Sequence, residues 1–194
     1  IFFHKKGTIL LEVLKMNLYY NRLKKWEIGG VFWITIVGSL LHFIYEWSNK
    51  STIGAVFGPV NESLWEHLKL GYWSLAFYMI IEYWFIRRYT NNFLIAKTTG
   101  ILAMNLLIVF GVSAYTAISK KHIFILDIGL FILGAILCQY ISFKIMEKGT
   151  NNILNKAGLV LFILIGFVLV FFTFKPLHYS IFRDPIKGIY GIDK

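Results

Sequence analysis

The chain has 194 residues, of which 57% are hydrophobic and 15% charged, and its mean hydropathy is +0.64. Those values lie well outside the range of soluble globular domains. A net charge of +10 would suggest nucleic acid in a soluble protein. Here Lys and Arg gather in short connections between long apolar runs, so the expected partner is the lipid bilayer and not nucleic acid. The lone cysteine, Cys138, falls inside an apolar run and excludes an intramolecular disulfide.

The chain opens on Ile, and Met16, followed by a basic approach to Trp26, resembles a natural start. Residues 1–15 are therefore expected to be a non-native or disordered leader, and residues 16–194 a single transmembrane domain. The apolar run Ile9–Leu14 is too short for the core of a signal peptide.

Five runs follow that are long enough, or nearly so, to cross ~30 Å of hydrocarbon as helices. They lie near Gly29–Trp47, Glu62–Ile86, Phe93–Ser119, Ile123–Met146 and Ala157–Phe174. The expectation is an all-α integral membrane bundle of five transmembrane helices. With the amino end inside, twelve Lys and Arg fall on the inner side, including Arg22, Lys24, Lys25, Arg87, Arg88, Lys97 and Lys144. Seven fall outside: Lys50, Lys120, Lys121, Lys175, Arg183, Lys187 and Lys194. The balance predicts the amino end inside and the carboxyl end outside of a cytoplasmic membrane.

In the first run, Thr35, Gly38, Ser39, His42, Tyr45 and Glu46 recur at three- and four-residue spacing and form one small-and-polar stripe. Such a stripe faces other helices. The second helix is expected to start at Asn61, a good N-cap, after Pro59. Ser63 and Glu66 also fit a capping box. Glu62, Glu66 and Lys69 share a face, and either carboxylate can pair with the lysine. A helix from Asn61 to Arg88 would run about 42 Å, so its first turns could also stand in the headgroup region as a structural ramp, with Trp65 and Trp73 in an aromatic belt.

Ionisable groups are costly in a bilayer and mark sites or partnered networks. His42, Tyr45, Asn61, Glu62, Glu66, His67, Lys69, Asp127, His178 and Asp184 are the candidate ligand-binding residues, all expected toward the outer side. Asp127 needs a partner, with Lys121, Lys69 or a His as candidates. Asn105 is expected to bond another helix, and the fifth run, without an ionisable group, reads as a plain lipid-facing helix. The tail after Lys175-Pro176 carries Phe182, Ile186, Ile189 and Tyr190 among two turn signals and is expected to fold back as a cap.

The stretch Pro59-Val60-Asn61-Glu62-Ser63-x-Trp65-Glu66-His67-x-Lys69 resembles the signature of an uncharacterised family of small multi-pass bacterial membrane proteins. Asp184-Pro185-x-x-Gly188-x-Tyr190-Gly191 is similar to that family's ending, and the likeness runs from about Trp26 to Ile192. The resemblance implies the membrane class and supplies no mechanism.

No His-Glu-x-x-His, P-loop or Gly-x-Ser-x-Gly occurs. A small transporter or bundle binding a small polar ligand is the first functional reading. A metal-dependent membrane hydrolase is the alternative, with His42, Glu66 and His67 as candidate metal ligands. A structural or accessory membrane protein is the third. The residues set neither a cofactor nor an oligomeric state.

Overall fold

Alternating helix-forming runs and short polar breaks give an all-helical chain in the computed structural model, which describes residues 2–90, 92–148 and 152–192, with side chains from Met16 onward. Helix α1 spans Phe2–Leu41, α2 Ile44–Trp47, α3 Thr52–Phe57, α4 Leu64–Ile86, α5 Phe93–Ser119, α6 Phe124–Met146 and α7 Asn152–Phe174. A 3-10 turn at Ser180–Phe182 follows. Among the described residues there is no strand; Arg183 and Tyr190 form an isolated antiparallel bridge. Lys194 and the side chains of the apolar run at residues 9–14 lie outside the described residues.

Three helices, α5, α6 and α7, are long and apolar enough to cross a membrane. They pack α5 on α6 and α7 on α5, while α1 packs on α4 and α6, and α4 also touches α5 and α7. The five long helices thus close a ring in the order α1, α4, α7, α5, α6. Its middle is apolar: Ile34, Leu75, Ile101, Met104, Ile108 and Ala135 are all buried there. The hairpin between α5 and α6 turns at Lys120, which takes a left-handed conformation with φ 58°.

Two boundaries differ from the sequence expectation for a physical reason. The first run does not continue as one helix to Trp47; α1 ends at Leu41, and the chain turns at His42 and Phe43 before the short α2. The second helix starts at Leu64, not Asn61, because Ser63 is its cap and accepts from the Glu66 N–H at 3.4 Å. Asn61 is occupied elsewhere: its Oδ1 accepts the Ser63 N–H at 2.9 Å and its Nδ2 donates to the Gly191 carbonyl at 2.8 Å.

The fifth expected span is not a plain lipid-facing helix. Phe162, Gly166, Leu169 and Thr173 of α7 are buried. The Tyr72 hydroxyl donates to the Phe162 carbonyl at 3.1 Å, and Gly166 leaves room for that ring, which a Cβ would strike. Trp65 donates to the Leu169 carbonyl at 3.2 Å and Trp73 to the Val56 carbonyl at 2.8 Å. Both indoles therefore clamp segments of the bundle together.

Candidate functional site

The polar residues of the α1–α4 connection sort into three clusters with different chemistry. The first is the mouth formed by the turn after α1 and the start of α4. His42 Nε2 lies 3.2 Å from His67 Nε2. Glu62 Oε2 lies 3.4 Å from His67 Nε2 and 3.8 Å from His42 Nε2. These side chains keep 33%, 29% and 45% of their surface for His42, His67 and Glu62 in turn, so the cluster is open on one side.

His42 reaches this point because α1 stops one residue before it. His67 is fixed by the ring nitrogen it turns away from the cluster, since Nδ1 stands 2.9 Å from the Ser63 carbonyl oxygen. A carbonyl only accepts, so Nδ1 carries the proton and a neutral ring leaves Nε2 with its lone pair. Metal-ligating histidines are oriented in this way. When its Nε2 is also protonated, the His67 ring donates to Glu62 and holds that carboxyl below the ordinary carboxylate range, although burial opposes this.

These three residues are the group among the described residues able to converge on one metal ion. The circle through their donor atoms has a radius of about 2.0 Å, close to the roughly 1.9 Å circle on which three ligands of a tetrahedral zinc lie. Glu66, expected as the carboxylate ligand, does not join them, and Glu62 stands where Glu66 was expected.

The second cluster explains why. Lys69 and Glu66 form an ion pair at 2.7 Å, with side chains 0% and 2% exposed. Lys69 Nζ also donates to the Ala55 carbonyl at 2.7 Å and to Thr173 Oγ1 at 2.9 Å. Glu66 Oε2 accepts the Val60 N–H at 3.0 Å, and Oε1 accepts the Thr173 hydroxyl at 2.8 Å. All three ammonium hydrogens are used and both carboxylate oxygens are engaged, so the pair is closed to a ligand. It ties α3, α4 and α7 together. The Glu62–Lys69 pairing open in the sequence does not form, because Glu62 faces the histidines.

The third cluster docks the tail. Asp184 is buried, and its carboxylate accepts the Glu62 N–H at 3.1 Å, the Ile186 N–H at 2.7 Å and the Lys187 N–H at 2.9 Å. Burial raises the cost of its charge, but those backbone donors outweigh it and hold its carboxyl below the ordinary value. Asp184 thus faces main-chain donors. Phe182 is buried against Trp65 and Phe172, with ring centroids 4.6 and 5.4 Å apart.

Of the remaining candidates, Tyr45 is buried with Ala55 and Val60, with Ile192 of the tail packed against them. Asp127 is bonded by the Tyr115 hydroxyl and lies 3.6 Å from His122 Nδ1 on the α5–α6 hairpin. Neither Lys121 nor Lys69 serves it. His178 packs against Tyr190, with ring centroids 4.8 Å apart. Asn105 Oδ1 is buried without a hydrogen-bond partner, so the expected helix–helix bond is not made through that oxygen.

A family match covers residues 15–192. The chain belongs to the family of unknown function DUF6512. No curated protein and no solved structure matches it. Membership in DUF6512 assigns no activity, so the chemistry must be argued from the mouth itself.

Sequence reading missed one cluster. At the opposite end of the bundle Lys97 is fully buried between Glu27 and Glu82. The charge balance counts Lys97 only among the inner-side cations. The signal available was depth, since Lys97 stands five residues beyond Asn92, the cap of α5.

Proposed function

We propose that this protein is a five-span membrane protein that holds a divalent transition metal ion, zinc by its ligand chemistry, at the mouth formed by His42, Glu62 and His67. The observation that carries this reading is the triangle of donor atoms with edges of 3.2, 3.4 and 3.8 Å. Tetrahedral donors on bonds of about 2.0–2.1 Å stand about 3.3–3.4 Å apart. Three protein ligands leave a fourth position, and the open side of the mouth gives that position access to water.

Two histidines and one glutamate with an open position suit hydrolysis at a bilayer surface. Bound there, zinc would lower the pKa of a coordinated water. Of the chain's own groups, His42 and His67 supply neutral donors, Glu62 supplies charge, and the Ser63 carbonyl fixes the His67 ring. The Asp184 carboxylate holds the backbone of Glu62 and so sets where that ligand stands.

A conduit through the bundle is the weaker reading. The buried apolar layer of Ile34, Leu75, Met104 and Ile108 lies between the mouth and the Lys97 end. That arrangement favours a site served from one side. The five spans are the three apolar helices together with α1 beyond Lys25 and α4. The charge balance between connections supports an amino end inside and a carboxyl end outside, as in a bacterial cytoplasmic membrane.

Metal content tests the proposal. Protein purified in detergent and dialysed against trace zinc is expected to retain one equivalent per chain. His67→Ala and His42→Ala should each weaken zinc binding by more than the roughly 10–100-fold typical of an outer-shell change. Zinc retention equal in both variants and the wild type would remove the metal reading.

A further inference from the structure

The Glu27–Lys97–Glu82 cluster is separate from the mouth and holds more carboxylates than cations. Lys97 Nζ donates to Glu27 Oε1 and Oε2 at 2.9 and 3.0 Å and to Gln139 Oε1 at 3.2 Å, and stands 2.7 Å from Glu82 Oε2. The Ser142 hydroxyl donates to Glu27 Oε1 at 2.9 Å. Two carboxylates against one ammonium leave a net charge of −1, with the Lys97 and Glu82 side chains 0% exposed and Glu27 5%. An uncompensated charge at such a place is expensive, and buried groups neutralise rather than carry it.

Three atoms show where the imbalance is resolved. Both Glu82 oxygens are buried without a hydrogen bond, Oε2 having only its ion-pair contact with Lys97, and Gln139 Nε2 is buried with no acceptor. Both oxygens of Glu27 are held by donors, so a proton adds to Glu82 without displacing a hydrogen bond. Glu27 and Gln139 also line a groove of about 310 Å³ between α1 and α6, with Tyr20, Lys24, Tyr140 and Lys144 nearer its rim. The groove brings the surface to the edge of the buried cluster.

We propose that Glu27, Glu82 and Lys97 form a proton-binding site, in which the two carboxyls hold one proton between them, carried on Glu82, and exchange it with water through the α1–α6 groove. The step is a simple protonation: a carboxylate oxygen takes a proton from water and the cluster becomes neutral. The other titratable groups facing it are few. On α4 the Tyr78 hydroxyl donates to the Trp26 carbonyl, and on α6 Cys138 is a buried thiol and Lys144 is paired with Glu147 at 2.9 Å. On α1, Lys24 lines the groove rather than the cluster. Among the described residues none supplies a second buried cation to balance the carboxylates.

Infrared spectroscopy of the full chain in lipid nanodiscs at neutral pH tests this. The wild type is expected to show a protonated-carboxyl carbonyl band that shifts on transfer to D₂O. Glu82→Gln and Glu27→Gln should each abolish that band, because the remaining carboxylate balances Lys97. Lys97→Met should double it, since both carboxyls must then carry protons; a purely structural role predicts no such change. Glu82→Gln mimics the protonated acid and is expected to melt near the wild-type temperature, which guards against an unfolded variant. Absence of the band in the wild type would overturn the proposal, as would its survival in Glu82→Gln. Failure to shift in D₂O would overturn the exchange path. Loss of the band when sodium replaces a bulky organic cation would make the cluster a cation site instead.

Discussion

At the residue scale, the same residue types play opposite parts within one short segment. Glu62 and Glu66 are one turn apart, yet Glu62 is half exposed beside two imidazoles while Glu66 is sealed against Lys69 and Thr173. The difference comes from the start of α4 at Leu64, which leaves Glu62 in the turn ahead of the helix and carries Glu66 onto its buried face. Periodicity placed both on one face and could not see the turn. Lys69→Met leaves the Glu66 carboxylate buried without its cation and should destabilise the fold by about 3–5 kcal/mol. Replacing Glu66 with Leu in the same chain should recover most of that loss, because a buried pair can be exchanged for apolar side chains at little net cost. Denaturant unfolding in detergent measures both; equal stability of Lys69→Met and the wild type would mean that the pair is not structural.

At the element scale, the carboxyl tail shapes the mouth. Its 3-10 turn seats Phe182 on Trp65, and Asp184 grips the Glu62 backbone. The turn signals and spaced apolar residues made a folded-back tail legible in the sequence, but the partner of Asp184 was not, because main-chain donors leave no trace in residue type. The Asp184 carboxyl is held below its ordinary value, chiefly against the cost of burial, by three backbone N–H groups. A folded-state value below the unfolded one, about 3.9, means the stabilisation is fully present above that pH and is lost as pH falls through the folded value. Amide exchange at Ile186 and Lys187, corrected for intrinsic rates, should therefore rise on acidification below about pH 4. Asp184→Asn should show faster exchange already at neutral pH. Exchange in that variant equal to the wild type would separate the tail from the Asp184 contacts.

At the scale of the whole molecule, helix content and the three most apolar helices were plain in the sequence, since each is a long run with few charges. The helices α1 and α4 were harder. Each mixes apolar residues with buried ionisable ones, Glu27 in α1 and Glu66, Lys69 and Glu82 in α4. Their partners lie on other helices, so a reading along one chain segment saw cost without compensation. Lys97 is the clearest case, counted among the inner-side charges and found buried between two carboxylates. Reporter fusions are expected to put residues 16–25 inside and the tail after Pro176 outside; both ends on one side would contradict five spans.

The proposed function rests on His42, Glu62 and His67 forming one three-ligand metal centre with an open position. Visible absorption of the cobalt-substituted protein tests it most directly. One equivalent of cobalt should give the intense bands of a four-coordinate ion, which shift when an added anion takes the open position and are lost in His67→Ala and Glu62→Ala. Weak bands of a six-coordinate ion, unchanged by the anion and identical in those variants, would contradict it.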